Sequence, residues 1–264
     1  MGYGKTDRKM DVTIIKSNKI NYDNDKKEKV VKFMNKSVFL DKLTWAIYPN
    51  IPGTLINIVW RKLDKSGTSI LDVGGGDGHS MRYLNKKLKM FAVNSDITAV
   101  NLIKSKELQV YQDYVLSDVC QLPYENNSFD VVICLDVIEH LEEKDGHFML
   151  TELERVACKQ IIITTPPESL DSNALGALKE RGNNRSTDLG HISSWLPSAF
   201  LKRDYQVTRG NGLRFITKRL PVGNKHLVPF VWYGMLHMIS CPIVYFFLKS
   251  SGEHIICTKK ISGK

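Results

Sequence analysis

The stretch Ile70-Leu71-Asp72-Val73-Gly74-Gly75-Gly76-Asp77-Gly78 runs an apolar strand directly into a glycine-dense turn, and amphipathic spacing resumes at His79. A junction of this kind belongs to a strand–turn–helix unit. Glycine is required where a side chain would block the approach of a ligand to the backbone, or where φ is positive. The chain beyond it repeats the same alternation. Apolar runs at Ser69–Val73, Phe91–Val93, Val131–Leu135 and Ile161–Thr164 are separated by helical patterns at His79–Leu88, Ala99–Lys106 and Phe148–Ala157. Fully apolar strands alternating with helices specify a mostly parallel sheet covered on both faces, so the fold class is α/β, doubly wound. A further helix is expected over Leu55–Leu63, closed by Ser66-Gly67.

The 264 residues are 42% hydrophobic and 25% charged, which excludes a wholly disordered or collagen-like chain. Cys120, Cys134, Cys158, Cys241 and Cys257 are scattered with no C-x-x-C pair. They read as reduced, buried residues rather than a disulfide or zinc framework. Residues 1–36 are expected to form a flexible basic arm, and 37–264 the folded domain. No apolar stretch follows Lys5, Arg8 and Lys9, so a cytoplasmic location without a secretory signal is expected. The formal charge of +9 points to anionic partners without choosing among nucleic acid, phospholipid and phosphorylated substrate.

The dinucleotide fingerprint G-x-G-x-x-G does not fit, because His79 occupies its last position. G-x-G-x-G does fit, at Gly74, Gly76 and Gly78, with Asp72 two residues upstream. This resembles motif I of the class I S-adenosylmethionine-dependent methyltransferases (type 11-like, small-molecule and lipid branch), and the resemblance extends from Ile70 to Pro166. It implies a seven-stranded Rossmann-like sheet with an antiparallel last strand, and S-adenosyl-L-methionine as cofactor. Asp72, Gly74, Gly75, Gly76 and Gly78 would then face the methionine end, whose ammonium suits an acid. Asp96 and Ile97, beyond the second strand, would hold the ribose and flank the adenine. Asp118 and Val119 would meet the adenine edge, and Leu135 would close the cofactor site at the fourth strand.

Asp136 and His140, after the fourth strand, are placed where open α/β sheets bind ligands and are candidate catalytic groups. The alternative is that Glu139 and His140 cap or pack the next helix. His191 and Trp195, in Gly190-His191-Ile192-Ser193-Ser194-Trp195, are expected in an acceptor-site loop over 168–200, His191 as a third catalytic candidate and Trp195 as a substrate contact. A loop anchored in the core by Trp195 is the other reading. Asp136-x-x-Glu139-His140 also resembles the E-x-x-E-H metal site of some methyltransferases. The expectation is that no metal is needed, and Asp136, Glu139, His140 and His191 are the residues that would hold one.

Leu227 to Leu248 contains no Asp, Glu, Lys or Arg over 22 residues, and Lys179–Lys225 carries ten Lys/Arg against three Asp/Glu. Glu253–Lys259 reads as the last strand, paired near Tyr205–Thr208. A run between two strands of one sheet cannot cross a bilayer once and return, so 227–248 is expected as an apolar helical insertion. Three placements remain open: shallow in an anionic membrane surface, in the core or as a lid, or across the bilayer. The favoured function is methyl transfer to a small, amphipathic or lipid-like acceptor at or near a membrane. An RNA methyltransferase and a non-catalytic cofactor-binding scaffold are the alternatives. No N/D-P-P-Y/F signature is present, and basic charge alone is poor evidence for nucleic acid.

Overall fold

The computed structural model describes residues 47, 50–166, 190–213, 227–247 and 252–261. The expected arm over 1–36, and all but the last part of the 168–200 loop, lie outside these. The elements run α1 (Leu55–Lys62), β1 (Ser69–Val73), α2 (His79–Leu88), β2 (Phe91–Asp96), α3 (Ala99–Leu108), β3 (Asp113–Leu116) and β4 (Phe129–Leu135). A 3-10 turn (Ile138–His140) follows, then α4 (Glu143–Val156), β5 (Ala157–Thr165), α5 (Pro197–Leu201), β6 (Gln206–Leu213), α6 (Leu227–Phe246) and β7 (Gly252–Lys260).

The seven strands form one sheet in the order β3-β2-β1-β4-β5-β7-β6. The first five strands are parallel, and β7 runs antiparallel between β5 and β6. This is the expected doubly wound sheet, and β6 supplies the hairpin partner expected near Tyr205–Thr208. Residue parity explains the two cores. Leu71, Val132, Cys134, Ile161 and Ile163 point to the face covered by Met149, Leu150 and Leu153 of α4 and Phe200 of α5. Their neighbours Ile70, Val131, Ile133 and Ile162 point to the other face, under Ile58 and Val59 of α1 and Met81 and Leu84 of α2. Strands buried on both faces have no polar side to alternate with, which is why they read as continuous apolar runs.

Helix α4 starts at Glu143, five residues before the apolar spacing suggests. Its first turn carries Glu143 and Asp145, acids that complement the positive end of a helix. All five cysteines are reduced. The 227–248 run is a helix over Leu227–Phe246 packed beside β6. Among the described residues no helix is long and apolar enough to cross a membrane. Its inward residues are Ser240, Cys241 and Val244, and Gly53, at φ +87°, lets the helix backbone approach.

Candidate functional site

The parallel strands bring their carboxyl ends to one edge of the sheet, and the expected site residues gather there. β1 opens into the glycine loop with Gly74, Gly76 and Gly78 at φ +69°, +56° and +83°, left-handed conformations that other residues adopt only under strain. Gly75 is needed for another reason: a β-carbon there would lie 2.6 Å from Asn94 Oδ1 and 2.9 Å from Asp72 Oδ2. A β-carbon on Gly76 would meet nothing within 4 Å. At Gly76 the loop therefore presents backbone without a side chain to open space, room for a ligand.

Asp96 ties this loop to β2. Its Oδ2 accepts the Gly76 N–H at 3.0 Å, and its Oδ1 accepts the Thr98 N–H at 2.7 Å. Asn94 completes the link by donating from Nδ2 to Gly76 O at 3.1 Å. Next to Asp96, Ile97 is 55% exposed, an apolar surface at the mouth of the cradle. Asp118 is exposed, with its Oδ1 accepting the Cys120 N–H, whereas the Val119 side chain is buried in the core. Leu135 is half-buried at the end of β4.

Asp72 is placed differently from the expectation of an acid open to a ligand. It is 1% exposed, lies behind Gly75 and accepts the Tyr111 hydroxyl at 2.6 Å. Burial raises its carboxyl to about 7, the Tyr111 hydrogen bond opposes this, and the nearby Asp96 charge adds to it. Asp72 supports the loop from beneath. Trp195 is the second correction. It is 2% exposed, donates from Nε1 to Ile138 O and Ser193 Oγ, and lies so close to Gly146 of α4 that no side chain fits there. A residue so enclosed anchors the loop in the core, because its largest apolar surface is already spent on packing.

Across the edge from the cradle, Asp136 takes φ +54° immediately after β4. Its N–H donates to Thr164 O at 3.0 Å and its Oδ1 accepts the Thr164 hydroxyl at 2.8 Å. The Oδ2 lies 3.4 Å from His254 Nε2. Burial pushes this carboxyl up, but His254, Thr164 and His140 together hold it below the ordinary value. Behind His254, Asn211 Oδ1 accepts the Leu55 N–H, which turns Nδ2 toward His254 Nδ1 at 3.0 Å. That arrangement makes Nδ1 the acceptor and puts the ring proton on Nε2, facing Asp136.

The remaining candidates converge. His140 and His191 sit 5.1 Å apart edge to face, both half-buried. Glu139 is buried, with Oε2 accepting the Thr165 hydroxyl, and its backbone carbonyl accepts the N–H groups of Ile192 and Ser193. Burial first, then the Asp136 charge, raises the Glu139 carboxyl to about 7. One ligand atom from each of Glu139, His140 and His191 falls within 4.8 Å of the others, a spacing a divalent cation could bridge. Asp136 is not one of that trio. His254, Asn211, Thr164 and Tyr111 carried no sequence signal, because their roles depend on pairings such as Gly210 with His254 across the β6–β7 hairpin.

Residues 71–162 match the family model described as "Methyltransferase domain". Among curated proteins, the chain is 31% identical over 155 residues to a ubiquinone biosynthesis O-methyltransferase of Rickettsia bellii, 53% of this chain and 58% of that protein. It is 28% identical over 156 residues to the Oryza sativa protein described as a chloroplastic tocopherol O-methyltransferase, 53% of this chain and 41% of that protein. The chain thus spans about half the length of the curated relatives it matches. Among solved structures, a chain of the Haloferax volcanii complex of the Trm112 methyltransferase activator with a methyltransferase superposes with TM-score 0.54 at 10% identity, covering 87% of this chain and 96% of its own. The 4+2 cyclase SpnF superposes with TM-score 0.51 at 14% identity, covering 80% and 81%. These likenesses establish the class I methyltransferase fold; one of the two is named for a cyclisation, so the fold by itself does not fix the reaction.

Proposed function

We propose that this chain is an S-adenosylmethionine-dependent methyltransferase acting on a small, amphipathic, lipid-like acceptor. One observation carries the reading: the Gly74–Gly78 loop offers bare backbone to open space in front of Gly76 while Asp96 fixes it from the next strand. The residues fit the cofactor. Gly74, Gly75 and Gly76 would border its methionine portion, Asp96 has acceptor capacity left for ribose hydroxyls, and the exposed Ile97 offers a face to an adenine ring. Asp118 and Val119 would border the adenine edge, and Leu135 the floor. When bound, the cofactor supplies an electrophilic methyl group on a sulfonium. The small-molecule acceptors named for the curated relatives, ubiquinone precursors and tocopherol, support the amphipathic class.

The chain's own contribution is positioning and proton management. His140 and His191 stand where an acceptor hydroxyl at the strand edge would be oriented and could give up its proton. Asp136, held below its ordinary value by His254, Thr164 and His140, keeps a carboxylate beside this edge. The test is cofactor binding by calorimetry, with turnover on quinol and phenol acceptors measured in parallel. Asp96→Ala weakens S-adenosylmethionine binding by about tenfold or more while the circular-dichroism spectrum is kept, as expected for a lost charge-assisted contact. Unchanged affinity refutes the cofactor assignment, and tight binding with no turnover on any acceptor returns the chain to the scaffold reading.

A further inference from the structure

Among the described residues of helix α6, apolar side chains lie on both sides, and one of these sides is covered. Ser240, Cys241 and Val244 face the protein. The opposite stripe, Met235, Leu236, Ile239, Ile243, Phe246 and Phe247, follows helical three-and-four spacing and is between 40% and 81% exposed. A helix on the surface of a water-soluble domain carries polar residues on its outer face. Here the sequence supplies no charged residue from Leu227 to Leu248. A contiguous exposed apolar stripe of this kind marks a surface that something else covers.

The chemistry beside the stripe indicates what covers it. Phe246, the stripe's last turn, also walls a cavity of about 770 Å³ together with Ile58, Leu201 and Tyr245. The same cavity is lined by Lys62 and Arg209. Apolar walls next to two cationic side chains match an amphiphile with an anionic head. We infer that α6 and this groove dock the protein on a bilayer containing anionic phospholipid. The stripe enters the boundary between headgroups and acyl chains, and Lys62 and Arg209 meet lipid phosphates. This geometry is that of a helix lying in the interface plane.

A second copy of the chain is the competing occupant, and charge opposes it. Two-fold association would bring together two chains that each carry a formal charge of +9. An anionic lipid surface is attracted by the same charge. The docking surface shares no residue with the glycine loop, so it stands whether or not the chain turns over S-adenosylmethionine.

The experiment is flotation of the full chain with phosphatidylcholine vesicles, with and without roughly one-third phosphatidylglycerol, at low and high salt. Light scattering after size exclusion reads the oligomeric state. The expected result is flotation about tenfold stronger with the anionic vesicles and reversed by salt. Ile243→Glu with Phe247→Glu reduces it by at least about tenfold, and Lys62→Gln with Arg209→Gln removes the preference for anionic lipid. If the glutamate pair alters the circular-dichroism spectrum, Ile243→Gln with Phe247→Gln replaces it. No flotation of the wild-type chain overturns the inference, as does flotation indifferent to the stripe substitutions. A solution dimer that Ile243→Glu dissociates, without flotation, overturns it in favour of a second copy.

Discussion

The buried acid beneath the glycine loop makes stability depend on pH in a way that one substitution isolates. Asp72 has its carboxyl raised from 3.8 to about 7, chiefly by burial. A raised acid keeps its proton in the folded chain over a range where the unfolded chain has already lost it. The folded state therefore binds more protons between about pH 4 and pH 7, and stability falls as pH rises through that window. About three units at roughly 1.4 kcal/mol each set a ceiling near 4 kcal/mol, on the order of half of a typical domain's stability. Asp72→Asn is close in shape, can still accept the Tyr111 hydroxyl, and carries no proton to lose. Urea unfolding at about pH 5 and about pH 8.5 gives the two stabilities for each protein. The wild-type chain is expected to lose on the order of 2–3 kcal/mol more than Asp72→Asn across that interval. The comparison cancels Glu139, which is raised in the same direction and present in both proteins. Equal losses in the two proteins would show that Asp72 is ionised in the fold at little cost, and would refute the burial argument.

Two other substitutions probe the acceptor side. Gly146→Ala gains up to about 1 kcal/mol of helix propensity but drives a methyl group into the Trp195 ring, and overpacking of about 1–3 kcal/mol outweighs the gain. A lowered unfolding midpoint with altered tryptophan fluorescence is expected; an unchanged midpoint means the loop carrying His191 is not clamped there. His254→Gln removes the group that most lowers the Asp136 carboxyl, so that pKa rises. The acid limb of the turnover profile then moves to higher pH, with cofactor affinity retained. A profile that does not move separates Asp136 from proton management.

Part of the local order of this protein was legible to the residue. Apolar runs and helical spacing are properties of short windows, so the ranges of β1 and α2 follow from the sequence to the residue. The glycine positions announce a loop that needs positive φ, and the structure has it at Gly74, Gly76 and Gly78. The expected place of Asp96 at the end of the second strand is also observed, and its bond to the Gly76 N–H follows because consecutive parallel strands end at one edge of a sheet.

What the sequence left undecided depends on distances between segments far apart in the chain. Whether Asp72 faces a ligand or lies under Gly75 is a matter of a few ångströms of loop depth, fixed by Tyr111 reaching in from beyond α3. Trp195 was equally consistent with a pocket or a core until Gly146 of α4 left room for its ring. The partnership of Asp136 with His254 required β7 to insert antiparallel beside β5, a sheet order that no local pattern encodes. Composition along α6 marked it as apolar, but which of its faces is covered is set by Gly53 and β6. The sequence alone thus determined the elements and the cradle. Tertiary packing decided which polar groups are buried, and burial is what sets their charge and their role.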